Sequence, residues 1–114
     1  VPPEKAGAAS AVSETAYELG AVIGTAGLGT MFTAFYRANV ELPGALSPAQ
    51  SADAGESIGG AISVARTLPA ELGNHLVESA RLAFDSGIGA TAATAAGLAL
   101  VATAIVAAAF RSRR

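Results

Sequence analysis

Glu14 and Glu18 are the residues best placed to do chemistry. They stand four apart in a stretch that reads as helix, on one face with Ala21 and Thr25, because positions three and four apart stack along a helix. Carboxylates so spaced lie about 5–6 Å apart at Cβ and repel each other. A coupled pair of this kind gains and loses protons as a unit. It can give up a proton for a cationic ligand, which is the chemistry of an exchanger. Tyr17, between them in sequence, offers a cation its hydroxyl or its aromatic face. A plainer reading stays open. Acids near a helix N-terminus are favoured by the dipole, so the two can simply occupy the wet first turns of a helix that enters a membrane later.

The element that must position them is long and nearly uncharged. From Leu19 to Tyr36, 18 residues pass with no ionisable group but Tyr36 itself. A second run, Ser86 to Phe110, covers 25 residues without charge and ends at Arg111, Ser112, Arg113 and Arg114. A spanning helix needs about 20 largely apolar residues, and carboxylates near such a span are costly and usually functional. The expected fold is all-α, a membrane helical hairpin. Gly20, Gly24 and Gly27, with Ser13, share a second face of the first helix. Small residues there let a neighbouring backbone approach closely. The first face then points carboxylates toward a place that is wet or paired, since a bare charge in hydrocarbon is too costly.

Composition agrees. The chain has 114 residues, 52% hydrophobic and 14% charged, against about 25% charged in soluble domains. Its apolar content is mostly Ala and Gly, which bury little area each and make a poor self-sufficient core. A net charge of −2 argues against a nucleic-acid surface, which needs a clustered basic patch. With no Cys, disulfides, thiolate nucleophiles and Cys-based metal sites are excluded. No phosphate-cradling glycine loop, Ser/His/Asp set or metal-ligand spacing is present, so neither an enzyme nor a cofactor is expected. The lone His75 reads as a surface residue, and Asp53, Glu56, Glu71 and Glu78 as solvated faces. The chain opens Val1-Pro2-Pro3 without a basic segment leading into an apolar one. We expect it to be a piece, the C-terminal end, of a longer protein.

Four segments are expected. Residues 1–37 form the first transmembrane helix, with Pro2 and Pro3 at its head, no Pro from Ala6 to Tyr36, and Arg37 and Asn39 at its far end. Residues 38–85 form an extracytoplasmic connection with two short amphipathic helices. There Ser47-Pro48 reads as an N-cap with Pro at the first helical position. Ile58, Ile62 and Ala65 give one helical face. After Thr67 and Pro69, the residues Leu68, Leu72, Leu76, Ala80 and Phe84 give another. Asp85-Ser86-Gly87 marks the way into the second span, 86–110, and 111–114 is a basic cytoplasmic tail. Lys5, Arg111, Arg113 and Arg114 flank the outer ends, against Arg37 and Arg81 beside the connection. Basic residues near span ends favour the cytoplasm, so both termini are expected inside a cell membrane. Leu98, Leu100, Val101, Ile105, Val106 and Phe110 make the second half of the second span hydrophobic, but its first half and the whole first span are thin in bulky side chains and look built to pack on helices from elsewhere.

The run from Ala8 to Gly20, which contains Glu14-Thr15-Ala16-Tyr17-Glu18-Leu19-Gly20, followed by Gly24 and Gly29, resembles a known family. It is similar to the C-terminal end of the fourteen-helix drug:proton antiporters of the major facilitator superfamily. Their penultimate helix carries E-T-x-Y-D/E-L-G-x-x-x-G after a V-P-x-x-x-A-G-x-A-x-A lead-in, which Val1 to Ala9 fits. Tyr36-Arg37 matches a Tyr-Arg pair often found after this helix. The resemblance covers the whole chain. It implies multidrug efflux driven by proton entry, with Glu14 and Glu18 recognising cationic drugs or carrying protons. The implied partners are the lipid bilayer, the remaining helices of a parent transporter, cationic small molecules and protons. The family's signature loop and early-helix acids are not in this sequence, and a lone hairpin cannot alternate access, because that motion rocks two bundles around a site. The chain is therefore expected to be inactive alone. Two other readings remain: an independent two-span membrane protein that binds or regulates a partner through its glycine faces, and a soluble Ala-rich bundle acting as an interaction module.

Overall fold

A computed structural model describes residues 2–114; Val1, which belongs to the expected first segment and lead-in, lies outside them. Among the described residues every regular element is helical. After a short 3-10 turn, Pro3–Lys5, come α1 (Ala6–Asn39), α2 (Pro48–Glu56), α3 (Ile58–Ala65) and α4 (Ala70–Ser112). The all-α expectation holds, with two long apolar helices. At 1.5 Å per residue α1 is about 51 Å long and α4 about 65 Å. Both exceed the ~30 Å of a bilayer's hydrocarbon. The chain falls into two units, one ending at Thr30 and the other Met31–Arg114, and α1 runs from the first into the second.

The buried core lies wholly in the second unit. It consists of Tyr36, Ala54, Ala61, Val64, Leu76, Ala80 and Ala83, with Val40, Leu42, Leu46, Ile58, Leu68 and Phe84 packed on it. Tyr36 and Leu76 are the largest fully buried side chains. A buried phenol needs a partner for its hydroxyl, and Tyr36 Oη donates to the Ala54 carbonyl at 3.0 Å. This ties the last turn of α1 to α2. The Glu41 amide donates to Ser79 Oγ at 2.7 Å, and the Phe32 and Phe84 rings meet edge to face with centroids 5.2 Å apart.

Local chemistry sets the corners. Ser47 caps α2 as expected: its hydroxyl accepts from the Gln50 amide while the Gln50 side chain accepts from the Ser47 amide, with Pro48 at the first helical position. The periodicity did not show the break at Ser57. Its backbone is extended and its hydroxyl accepts from the Gly60 amide at 3.0 Å, which starts α3 afresh. A Cβ on Gly60 would overlap the Asp53 carbonyl, so only glycine lets α2 and α3 meet so closely. Ala61 and Val64 are buried in α3, with Ile58 and Ala65 half-buried, while Ile62 points outward. The inner line of α3 is thus rotated from the one read in the sequence.

The stripe from Leu68 to Phe84 belongs mostly to the head of α4, which passes Asp85, Ser86 and Gly87 without a break. The buried line on α4 is Gly73, Leu76, Ala80, Ala83 and Gly87, with Leu72 and Phe84 at its margin. Gly87 is helical and ends nothing. A Cβ there would meet the Phe32 ring at 3.0–3.1 Å, so its role is close approach rather than a turn.

Removing the phenol hydroxyl with Tyr36→Phe leaves the buried Ala54 carbonyl unpaired, at a cost of about 1–3 kcal/mol. Hydrogen exchange of the α2 amides should speed up by about tenfold or more, and Gly60→Ala should have a larger effect. Unchanged α2 protection in both variants would show that neither contact holds the α2–α3 corner.

Candidate functional site

Glu14, Tyr17 and Glu18 all lie on α1 in the first unit, where every residue from Pro2 to Gly27 is exposed. The α-helix puts Glu14 and Glu18 one turn apart on one face, with Ala21 and Thr25 continuing it. Tyr17, 78% exposed, follows Glu14 by three positions, which sets its ring at the edge between this face and the glycine face. Gly20, Gly24 and Gly27 line that second face, and a Cβ on any of them would meet nothing within 4 Å. α1 therefore groups the candidate residues as the spacing predicts, but closes no cavity over them. The two carboxylates on their own can attract a cation; they cannot desolvate one.

A third face escaped the sequence reading. Ala11, Val12, Thr15, Ala16 and Leu19 border a shallow apolar groove in the first unit. Val12, Thr15, Ala16 and Leu19 follow i, i+3, i+4, i+7, a spacing that would have disclosed it. α1 thus carries carboxylates on one face, glycines on a second and an apolar stripe on a third.

Both long helices are apolar enough to cross a membrane by length and composition, and almost none of their apolar stretches is buried. On α4, Leu98, Leu100, Val101, Ile105, Val106 and Phe110 are all exposed. A soluble core helix with these side chains would hide them. Threonine hydroxyls on both helices turn back onto their own backbone: Thr30 donates to Ala26 O at 2.8 Å, Thr94 to Ala90 O at 2.9 Å and Thr103 to Ala99 O at 2.8 Å. Donors satisfied within the helix suit a medium without water, whereas the buried Thr91 hydroxyl on α4 has no hydrogen-bond partner among the described residues. His75, Asp53, Glu56, Glu71 and Glu78 are exposed on the second unit.

By length and composition the chain offers two helices able to cross a membrane, and α1 adds a carboxylate pair near its start. Over 111 residues, 97% of its length, the chain is 64% identical to the multidrug efflux pump LfrA of Mycolicibacterium smegmatis. It is 40% identical over 83 residues, 73% of its length, to the methyl viologen resistance protein SmvA of Salmonella typhimurium. These matches span 22% and 17% of the two relatives, so the chain covers less than a quarter of their length. No protein-family model matches it, and no solved structure does either. The chain is thus similar, over nearly its whole length, to one segment of a multidrug efflux pump, and the resemblance read around Glu14 to Gly20 is borne out. An efflux-pump relative and two candidate spans together support a membrane location.

Glycine in a helix interior is less favourable than alanine by about 1 kcal/mol, and the space beside these glycines is open in this chain. Changing Gly20, Gly24 and Gly27 together to alanine should preserve or increase the helical circular dichroism of the chain in detergent micelles. A loss of helicity would mean that contacts within the chain depend on the missing side chains.

Proposed function

We propose that this chain is the two-span portion of a major facilitator drug:proton antiporter that expels cationic compounds across the cell membrane. Glu14 and Glu18 face the central cavity, where they bind the cation or exchange it for protons, and Tyr17 lends its hydroxyl or ring. Gly20, Gly24 and Gly27 take the close approach of neighbouring helices. Both termini lie in the cytoplasm, and residues 38–85 lie on the far side of the membrane between the spans. Nothing in this reading calls for an enzyme, a cofactor or nucleic acid. The chain does not transport by itself, since alternating access needs two bundles.

The observation that carries this reading is the 64% identity to an efflux pump over almost the whole chain. A second one bears on the substrate. SmvA is named for resistance to methyl viologen, a molecule with two positive charges, and a pair of carboxylates one turn apart offers a matching pair of negative ones.

A chimera tests it. The matching segment of LfrA is replaced by this chain, and efflux is measured in cells lacking the native pump. Restored efflux supports the reading, and a chimera that reaches the membrane but exports nothing counts against it. Within an active chimera, Glu18→Gln removes one charged partner, worth roughly 1.5–3 kcal/mol. Methyl viologen export should fall by about tenfold or more, while the monocation tetraphenylphosphonium is affected much less. An equal loss for both, at equal protein abundance, would sink the recognition role of Glu18.

A further inference from the structure

The basic end of α4 does more than mark a side of the membrane. Val106, Ala109, Phe110 and Arg113 line a small groove. They follow i, i+3, i+4, i+7 and so share one helix face. Its floor is apolar, with Val106 and Phe110 both more than half exposed, and its rim carries a guanidinium. Arg111 and Arg114 add two more positive charges within the last four residues. No acidic side chain on α4 lies close to them: the nearest is Asp85, about 39 Å away along the axis. A helix C-terminus is itself the negative end of the dipole, which holds arginines there.

We propose that this groove binds one phospholipid with an anionic headgroup. An acyl chain lies along Val106, Ala109 and Phe110, and the headgroup phosphate pairs with Arg113, with Arg111 close by. Guanidinium suits the task because its planar fork matches phosphate oxygens two at a time, and its stem can follow apolar surface while the charge stays at the interface. The inference rests on the membrane reading above and adds a ligand to it.

The test uses the whole chain in detergent micelles, titrated with phosphatidylglycerol or phosphatidylcholine and read by native mass spectrometry. A basic residue at a lipid surface contributes about fivefold in affinity for anionic lipid. With Arg113 paired to the phosphate, the first phosphatidylglycerol should therefore bind at least about fivefold tighter than phosphatidylcholine. Arg113→Gln should remove most of that preference, Arg66→Gln on the second unit should leave it intact, and Phe110→Ala should weaken both lipids. Inorganic phosphate at millimolar levels should displace neither. Equal binding of the two lipids overturns the proposal. So does an equal loss from Arg66→Gln and Arg113→Gln, which marks diffuse charge, and so does displacement by inorganic phosphate, which marks a simple anion site. Insertion into vesicles is scored separately by alkaline extraction. A chain that fails to insert takes the membrane reading down as well, whereas one that inserts without lipid preference overturns this inference alone.

Discussion

Val22 and Ile23 on α1, and Leu98, Leu100, Val101, Ile105, Val106 and Phe110 on α4, stand in the open. Surface of that kind must leave water, and the chain has too little bulk to cover it. Alanine and glycine make up much of its apolar content, and each hides only a small area. A medium that is itself apolar resolves the problem. It also dictates the secondary structure, because a backbone without water must bond to itself, and the helix does so within one segment. Helical continuity through the glycines of α1 and through Asp85–Gly87 of α4 follows from the same demand.

A different solution operates in the second unit. There a true core forms, around Tyr36 and Leu76, and small residues serve to bring helices together rather than to fill space. Gly60 admits the Asp53 carbonyl, Gly73 lies against the Ala65 carbonyl, and Gly87 admits the Phe32 ring. Ala54, Ala61, Ala80 and Ala83 are buried for the same reason. Tyr36 crosses from α1 into this core, and its hydroxyl bond to Ala54 makes it a joint as well as a filler. Burial dwindles along α4 beyond Gly87 and is gone after Ala95, where the driving force for packing within the chain gives way to whatever surrounds it.

What could be read in advance divides along the same line. The extent of α1 was legible from a charge gap with no proline, and the start of α2 from Ser47, Pro48 and Gln50, since these signals are local. The break at Ser57 was not, because an extended serine beside glycines looks the same as a helical one until the Asp53 carbonyl is brought near. The continuity of α4 was not legible at Asp85-Ser86-Gly87, which reads as the way into a span in one dimension, while in three Gly87 is a contact with the Phe32 ring. The pairing of Glu14 with Glu18 was plain from spacing. The environment of that pair was not, because no part of the described chain packs over it.

The three faces of α1 bear on that environment. A helix surrounded only by lipid would have no use for a carboxylate face, and a helix lying on a water surface would have no use for open glycines at Gly20, Gly24 and Gly27. A carboxylate face, a glycine face and an apolar stripe at Val12, Thr15, Ala16 and Leu19 ask for three surroundings at once: something wet or cationic, a backbone at close range, and other apolar side chains or acyl tails. A helix inside a bundle, with one side on a polar passage, meets all three. In water the two glutamates simply stand exposed to solvent. Inside such a passage the same spacing concentrates negative charge where few waters compete for it, and a dication gains from both carboxylates together. On the proposed reading, this is why the charge sits at the wet end of an otherwise apolar helix: near enough to the hydrocarbon to be felt strongly, and near enough to water to be tolerated when empty.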